Sequence, residues 1–343
     1  MNKGLRPFCR KTRGPGGTGV AVKPGANENG GSVLQAAAMP ANENLDLVTD
    51  RLCRIRDEGL WPTGLRDLWV DALGVVCLLS LFKTTGDARY LAEAEWVAHE
   101  VDRVLGRRRG IRIAERSDAP GQTFRSQALW LFALQRLGQI RPQYKTRALA
   151  LVREIHAPFV RPRAGIFSRM EENLAGPFPG SDSGRLEVFL GLAVYRQLDP
   201  DALAPEIEEL EGLVAQTYQS LAPDHGADLG LLLWATHLLP HETWSLLLRE
   251  RAVNALDERW VDPPGYFRRN LSEPWNSPMR ANRLAITNLS VAIGLQAQGL
   301  WAHRVQRLHQ YFTTQYPWEP APQDPLAHLL LCLSHNPGLL LTD

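Results

Sequence analysis

The chain has 343 residues, of which 44% are hydrophobic, and its 38 lysines and arginines nearly balance 37 acids to leave a formal net charge of +1. That is enough apolar material for a sizeable core, and no field of one sign exists to hold a polyanion, which excludes nucleic acid as the default partner. Cys9, Cys53, Cys77 and Cys332 are too few and too scattered for a disulfide framework, no membrane-crossing apolar stretch is expected, and the N-terminus lacks the apolar h-region of a secretory signal. A cytoplasmic protein with no membrane association is expected.

Residues 1–40 are rich in glycine, arginine, lysine and asparagine, without apolar period, as in a chain that cannot bury surface. They are read as a disordered basic tail, with Met39 just before the ordered pattern; the GPGGTG run at Gly14 to Gly19 lacks the preceding strand and the GK[ST] of a phosphate loop. From there residues 41–343 are read as one domain, in which two kinds of helical segment alternate between glycine- and proline-bearing loops.

The amphipathic kind is expected at Leu45 to Asp57, Ala88 to Val104, Pro142 to Ile155, Pro205 to Leu221, Glu242 to Glu258 and Ala302 to Gln315. The kind that is apolar nearly all round is expected at Asp67 to Phe82, Phe124 to Leu137, Arg185 to Tyr195, Asp228 to Leu238, Leu284 to Gln296 and Pro325 to Ser334. A helix apolar on all sides must be covered on all sides, whereas one stripe needs only one neighbouring layer, so the second kind is inner and the first outer. Six of each, beginning outer and ending inner, is the pattern of an all-α, closed (α/α)6 toroid. Turn signals agree: TTGD at Thr84 to Asp87 supplies a helix-ending glycine and an N-capping acid, and LDP at Leu198 to Pro200 and IRP at Ile140 to Pro142 precede outer helices.

The stretch GLWPTGLRDLWVDALGVVCLLSLFKTTGDARYLAEAEWVAHEV resembles the hairpins of six-hairpin glycosidase-like proteins, in which an inner helix ends at a TGD turn and an alanine- and tyrosine-bearing outer helix follows. The resemblance implies a substrate cleft at one mouth of the barrel, built by the loops leading into the inner helices and by their first turns. It also implies a small-molecule or oligosaccharide ligand.

At the first inner helix stand Trp61, Arg66, Asp67, Trp69 and Asp71. Asp67 reads as a helix cap, while an acid at 71 inside LWVDALGVV is costly to bury without a partner or a cavity, which makes it the leading catalytic candidate. Glu171 and Glu172, beside Arg169 in a long irregular loop, are the candidates for the second carboxyl that glycoside hydrolysis requires, with Asp71 and one of them expected to line a common cleft. Trp61 and Trp69 are expected to stack on sugar; Asp182, Arg185 and Glu187 enter the third inner helix, with Asp182 or Ser183 readable as its cap. Gln122 and Arg125 enter the second, Asp224, His225 and Asp228 the fourth, and Tyr266, Arg268, Arg280 and Asn282 precede the fifth.

The alternatives are a sugar epimerase or isomerase moving a proton with His237 and His328, and a non-catalytic toroid that binds a sugar or a protein, to which Arg125, Arg169 and Arg185 would suit a binding mouth. Zinc signatures (HExxH, paired cysteines, the lanthionine-cyclase motif), DDxxD, DxDD and GxSxG are all absent from the sequence, so neither a metal nor a cofactor is expected.

Overall fold

The structure, a computed structural model, describes residues 41–116, 120–162, 165–222, 225–268, 278–316, 318 and 324–341, and the side chains of 41–43 and 278–282 are left aside. The tail 1–40 and Asp224 lie outside the described residues, as do the side chains of Arg280 and Asn282.

Twelve α-helices are described: α1 (Ala41–Asp57), α2 (Leu68–Thr85), α3 (Ala88–Val104), α4 (Phe124–Gly138), α5 (Pro142–Phe159), α6 (Arg185–Leu198), α7 (Ala204–Thr217), α8 (Gly226–His237), α9 (Thr243–Asp257), α10 (Pro278–Ala297), α11 (Ala302–Thr314) and α12 (Pro325–His335). The even-numbered helices form a closed ring in which each packs on the next and α12 returns to α2; α3, α5, α7, α9 and α11 each back the inner helix before them, and α1 backs α12. The molecule is thus the (α/α)6 toroid.

Local chemistry explains the first hairpin. The Asp67 side chain accepts from Trp69 N at 3.0 Å and Val70 N at 3.1 Å, capping α2. Gly86, at φ 71°, ends it in the left-handed conformation with its N–H on Phe82 O, and Asp87 caps α3. Residues 70–81 of α2 are all buried, whereas α3 buries only a stripe that includes Leu91, Ala94, Val97, Ala98 and Val101. One departure from expectation lies in α2 itself: at 18 residues and a mean hydropathy of 1.5 it is long and apolar enough to cross a membrane. Its apolar faces are spent on α3, α4 and α12 instead. Cys77 and Cys332 are buried free thiols.

Between α8 and α10 the backbones touch. A Cβ on Gly230 would lie 2.4 Å from Ser290 O, and one on Gly294 would lie 2.4 Å from Gly230 O, so two glycines set this approach. At the axis the inner helices leave a cavity of only about 50 Å³, lined by side chains such as Trp69, Leu73, Leu129, Trp234 and Ile293. That is space for one or two waters, not a sugar ring.

The inner-to-outer turns are short, while the outer-to-inner connections are long and carry the small antiparallel pairs: Gln122 opposite Met170, Val160 opposite Ile166, and Trp260 opposite Phe267. The long loops all meet the N-terminal ends of inner helices, so one mouth of the ring carries nearly all the irregular backbone.

Candidate active site

Four side chains from four successive inner helices converge at this mouth, each from its helix's first turn. Arg125 of α4 donates from Nε to Glu187 Oε1 of α6 at 3.0 Å and from Nη1 to Asp228 Oδ1 of α8 at 2.7 Å. Its guanidinium stands 6.0 Å from the ring centre of Trp69 of α2. Burial alone would lower the Arg125 guanidinium, but Glu187 and then Asp228 outweigh it and hold it above its ordinary value. The Glu187 side chain is 8% exposed and that of Asp228 25%, so one acid is enclosed and the other opens towards water. Both acids bind one planar guanidinium, which holds them as near neighbours at the mouth.

Asp67 and Asp324 cap the neighbouring helices α2 and α12 at the same mouth. Burial raises both carboxyls above their usual range, against the backbone N–H bonds that lower them, and for Asp67 the charge of Asp324 adds to the rise.

Asp71 does not face this mouth. It is fully buried, accepts from Trp61 Nε1 at 2.9 Å and pairs with Arg66 at 3.1 Å, and its Oδ2 has no hydrogen-bond partner. Burial lifts the carboxyl to about 7 against the pull of Arg66 and the indole bond. Trp69 and Leu73 point to the axis, which turns Asp71 to the outer side of α2, where Arg66 also lies 5.8 Å from the Trp96 ring. Trp61 and Arg66 are buried in this cluster: a Cβ on Gly74 would lie 2.1 Å from the Trp61 ring, so neither residue presents a face to sugar.

Glu172 pairs with Arg107 and lines a rim cavity that Asp71 does not reach, and Glu171 is exposed, which corrects the expected common cleft. Gln122 is fully buried and serves the loops: its Nε2 donates to Arg109 O and to Glu172 O, both at 2.8 Å. Asp182, Ser183 and Arg185 are exposed; neither Asp182 nor Ser183 caps α6, whose N-cap is Gly184, and the Asp182 carbonyl accepts from Ser168 N. Tyr266 is half-buried against Tyr311.

The histidines of the epimerase alternative do not meet. His237 is the last residue of α8, at the far end of the ring, hydrogen-bonded with Leu341 O at 2.9 Å. His328 is buried between Arg51 of α1 and the Trp318 ring; burial, then Arg51 and Arg54, push it down to about 3. Among the described residues no group of three or more metal-binding side chains occurs.

No family model and no curated protein matches the chain. Solved structures do. The selenomethionine derivative of a GH76 α-mannanase from Bacteroides thetaiotaomicron matches at TM-score 0.63 and 8% identity, over 87% of this chain and 95% of that one. A D-mannose isomerase matches at 0.59 and 10%, over 87% and 96%, and the cellobiose 2-epimerase of Bacillus thermoamylovorans at 0.57 and 10%, over 79% and 87%. At such identities the likeness establishes the six-hairpin toroid, and function rests on the site.

Proposed function

We propose that this chain is a carbohydrate-active enzyme that hydrolyses a glycosidic bond at the mouth formed by the first turns of α2, α4, α6 and α8. The observation that carries this reading is the convergence of Glu187 and Asp228 on Arg125 beside the Trp69 ring. An indole face suits the apolar side of a sugar ring, and charged groups around it suit hydroxyls. The neighbours in structure are named for reactions on sugars, which agrees with it.

In this reading substrate hydroxyls engage Arg125 and free the acids for chemistry. Glu187 and Asp228 then divide the two roles the reaction needs: one carboxyl protonates the glycosidic oxygen as the bond to the anomeric carbon breaks, and the other takes a proton from the water that adds to that carbon. The ring axis being filled, the saccharide lies across the mouth rather than down the barrel.

Glu187→Gln and Asp228→Asn test it, assayed for new reducing ends on α-mannan, cello-oligosaccharides and uronate oligosaccharides. Each variant should stay folded and lose at least about 100-fold in kcat. Full activity in both would overturn the assignment. One observation favours a second reading: Arg125 already engages both acids, as in a mouth that binds sugar without cleaving it. Retention of an oligosaccharide by the wild type with no cleavage of any substrate would select that reading.

A further inference from the structure

The segment from Arg107 to Arg116 holds five arginines and one acid, Glu115, in a chain whose net charge is +1. It forms the rim between the entrances of α2 and α4. Leu68 N donates to Ile113 O, Glu115 N donates to Arg66 O, and the buried Gln122 side chain ties Arg109 to Glu172. Arg107, Arg108, Arg109, Glu172 and Asn173 bound an open cavity of about 640 Å³ there. Glu172 also lines a smaller one of about 70 Å³, shared with Arg112 and Gly121.

The arginines exceed their partners. Glu172 is taken by Arg107, and Arg109 donates to the Glu154 carbonyl. Arg108 is exposed, and the Nε atoms of Arg112 and Arg169 are buried without a hydrogen-bond partner. A Cβ on Gly121 would lie 3.3 Å from that Arg169 nitrogen, which sets both unpaired donors beside one stretch of backbone. The exposed Arg108 and its neighbours around the open cavity suit oxyanions, a carboxylate in the plane of the guanidinium fork or a tetrahedral sulfate through two of its oxygens.

We propose that this arginine-lined rim binds the carboxylate or sulfate groups of an acidic oligosaccharide, making the substrate of the mouth a uronate-bearing or sulfated saccharide rather than a neutral one. The inference rests on the reading of the mouth as a sugar site, whose Arg125 stands three residues beyond Gln122.

Isothermal titration of the full chain with an oligogalacturonate, a sulfated heparin tetrasaccharide, a neutral manno-oligosaccharide of the same length and inorganic sulfate tests it. An acidic oligosaccharide should bind at least about tenfold tighter than the neutral one, with the advantage shrinking as salt screens it. The double variant Arg108→Ala/Arg112→Gln should lose that advantage and keep the neutral affinity; Arg108→Ala, at an exposed position, should lose part of it. Equal binding of neutral and acidic sugars, or unchanged selectivity in both variants, overturns the proposal while leaving the sugar mouth in place. Inorganic sulfate binding as tightly as any oligosaccharide overturns it in favour of a free-anion site. Binding of no saccharide at all removes the sugar mouth and this inference together.

Discussion

Asp71→Asn separates a structural acid from a catalytic one through its pH dependence. In the folded chain the carboxyl is raised to about 7 from an ordinary 3.8, because burial outweighs Arg66 and the Trp61 indole. Between these values the folded chain keeps a proton that the unfolded chain releases, so this group's contribution to stability is full below about pH 4 and is lost as pH rises towards 7. A rise of that size corresponds to about 4 kcal/mol. Asparagine cannot ionise and keeps an oxygen for the indole, so its stability should lack that fall, and the variant should exceed the wild type above pH 7. Urea unfolding across pH 4 to 8, followed by circular dichroism, reads the difference directly. Parallel curves for the two proteins would refute the reasoning and show that Arg66 holds the carboxylate ionised throughout. Saccharide binding at the mouth should be the same in both.

Three further outcomes follow from other contacts. Arg125→Lys keeps a charge but cannot serve Glu187 and Asp228 with one fork, so calorimetry should show at least a tenfold loss of saccharide affinity, about 1.4 kcal/mol. Gly230→Ala forces the α8–α10 approach apart, because the new Cβ falls 2.4 Å from Ser290 O; thermal unfolding should report a loss of at least about 1–3 kcal/mol, and an unchanged midpoint would contradict the packing described. Asp67→Ala removes two bonds to the first turn of α2 and should cost about 1 kcal/mol in denaturant unfolding.

The ring was legible because its signals are local. All-round against one-sided apolarity separates α2 from α3, and Asp67, Gly86 and Asp87 punctuate the hairpin by capping chemistry alone. The facing of residues on an inner helix is less visible, since burial on every side erases the period that would point to the axis. Asp71 is the cost of that ambiguity. Gly74, three residues on in an otherwise bulky helix, was the available signal, marking where the Trp61 ring presses against α2 and covers the acid. The inner helices present their N-termini to the mouth, so His237, at the end of α8, belongs to the opposite face. Trp69, Arg125, Glu187 and Asp228 were each identifiable singly, and their common register, second or third in four successive inner helices, is the pattern that joins them. The arginine rim escaped because charge balance over the whole chain hides a local excess, and its anchoring through Gln122 depends on contacts up to 50 residues apart.

The most direct test of the central claim is a crystal structure of the full chain soaked with an oligosaccharide that it binds. The account predicts a sugar ring against the Trp69 indole, with hydroxyls on Arg125, Glu187 or Asp228. A saccharide seated instead in the cavity of about 740 Å³ along α11, lined by His309 and His335, with the Trp69 mouth unchanged, would contradict it.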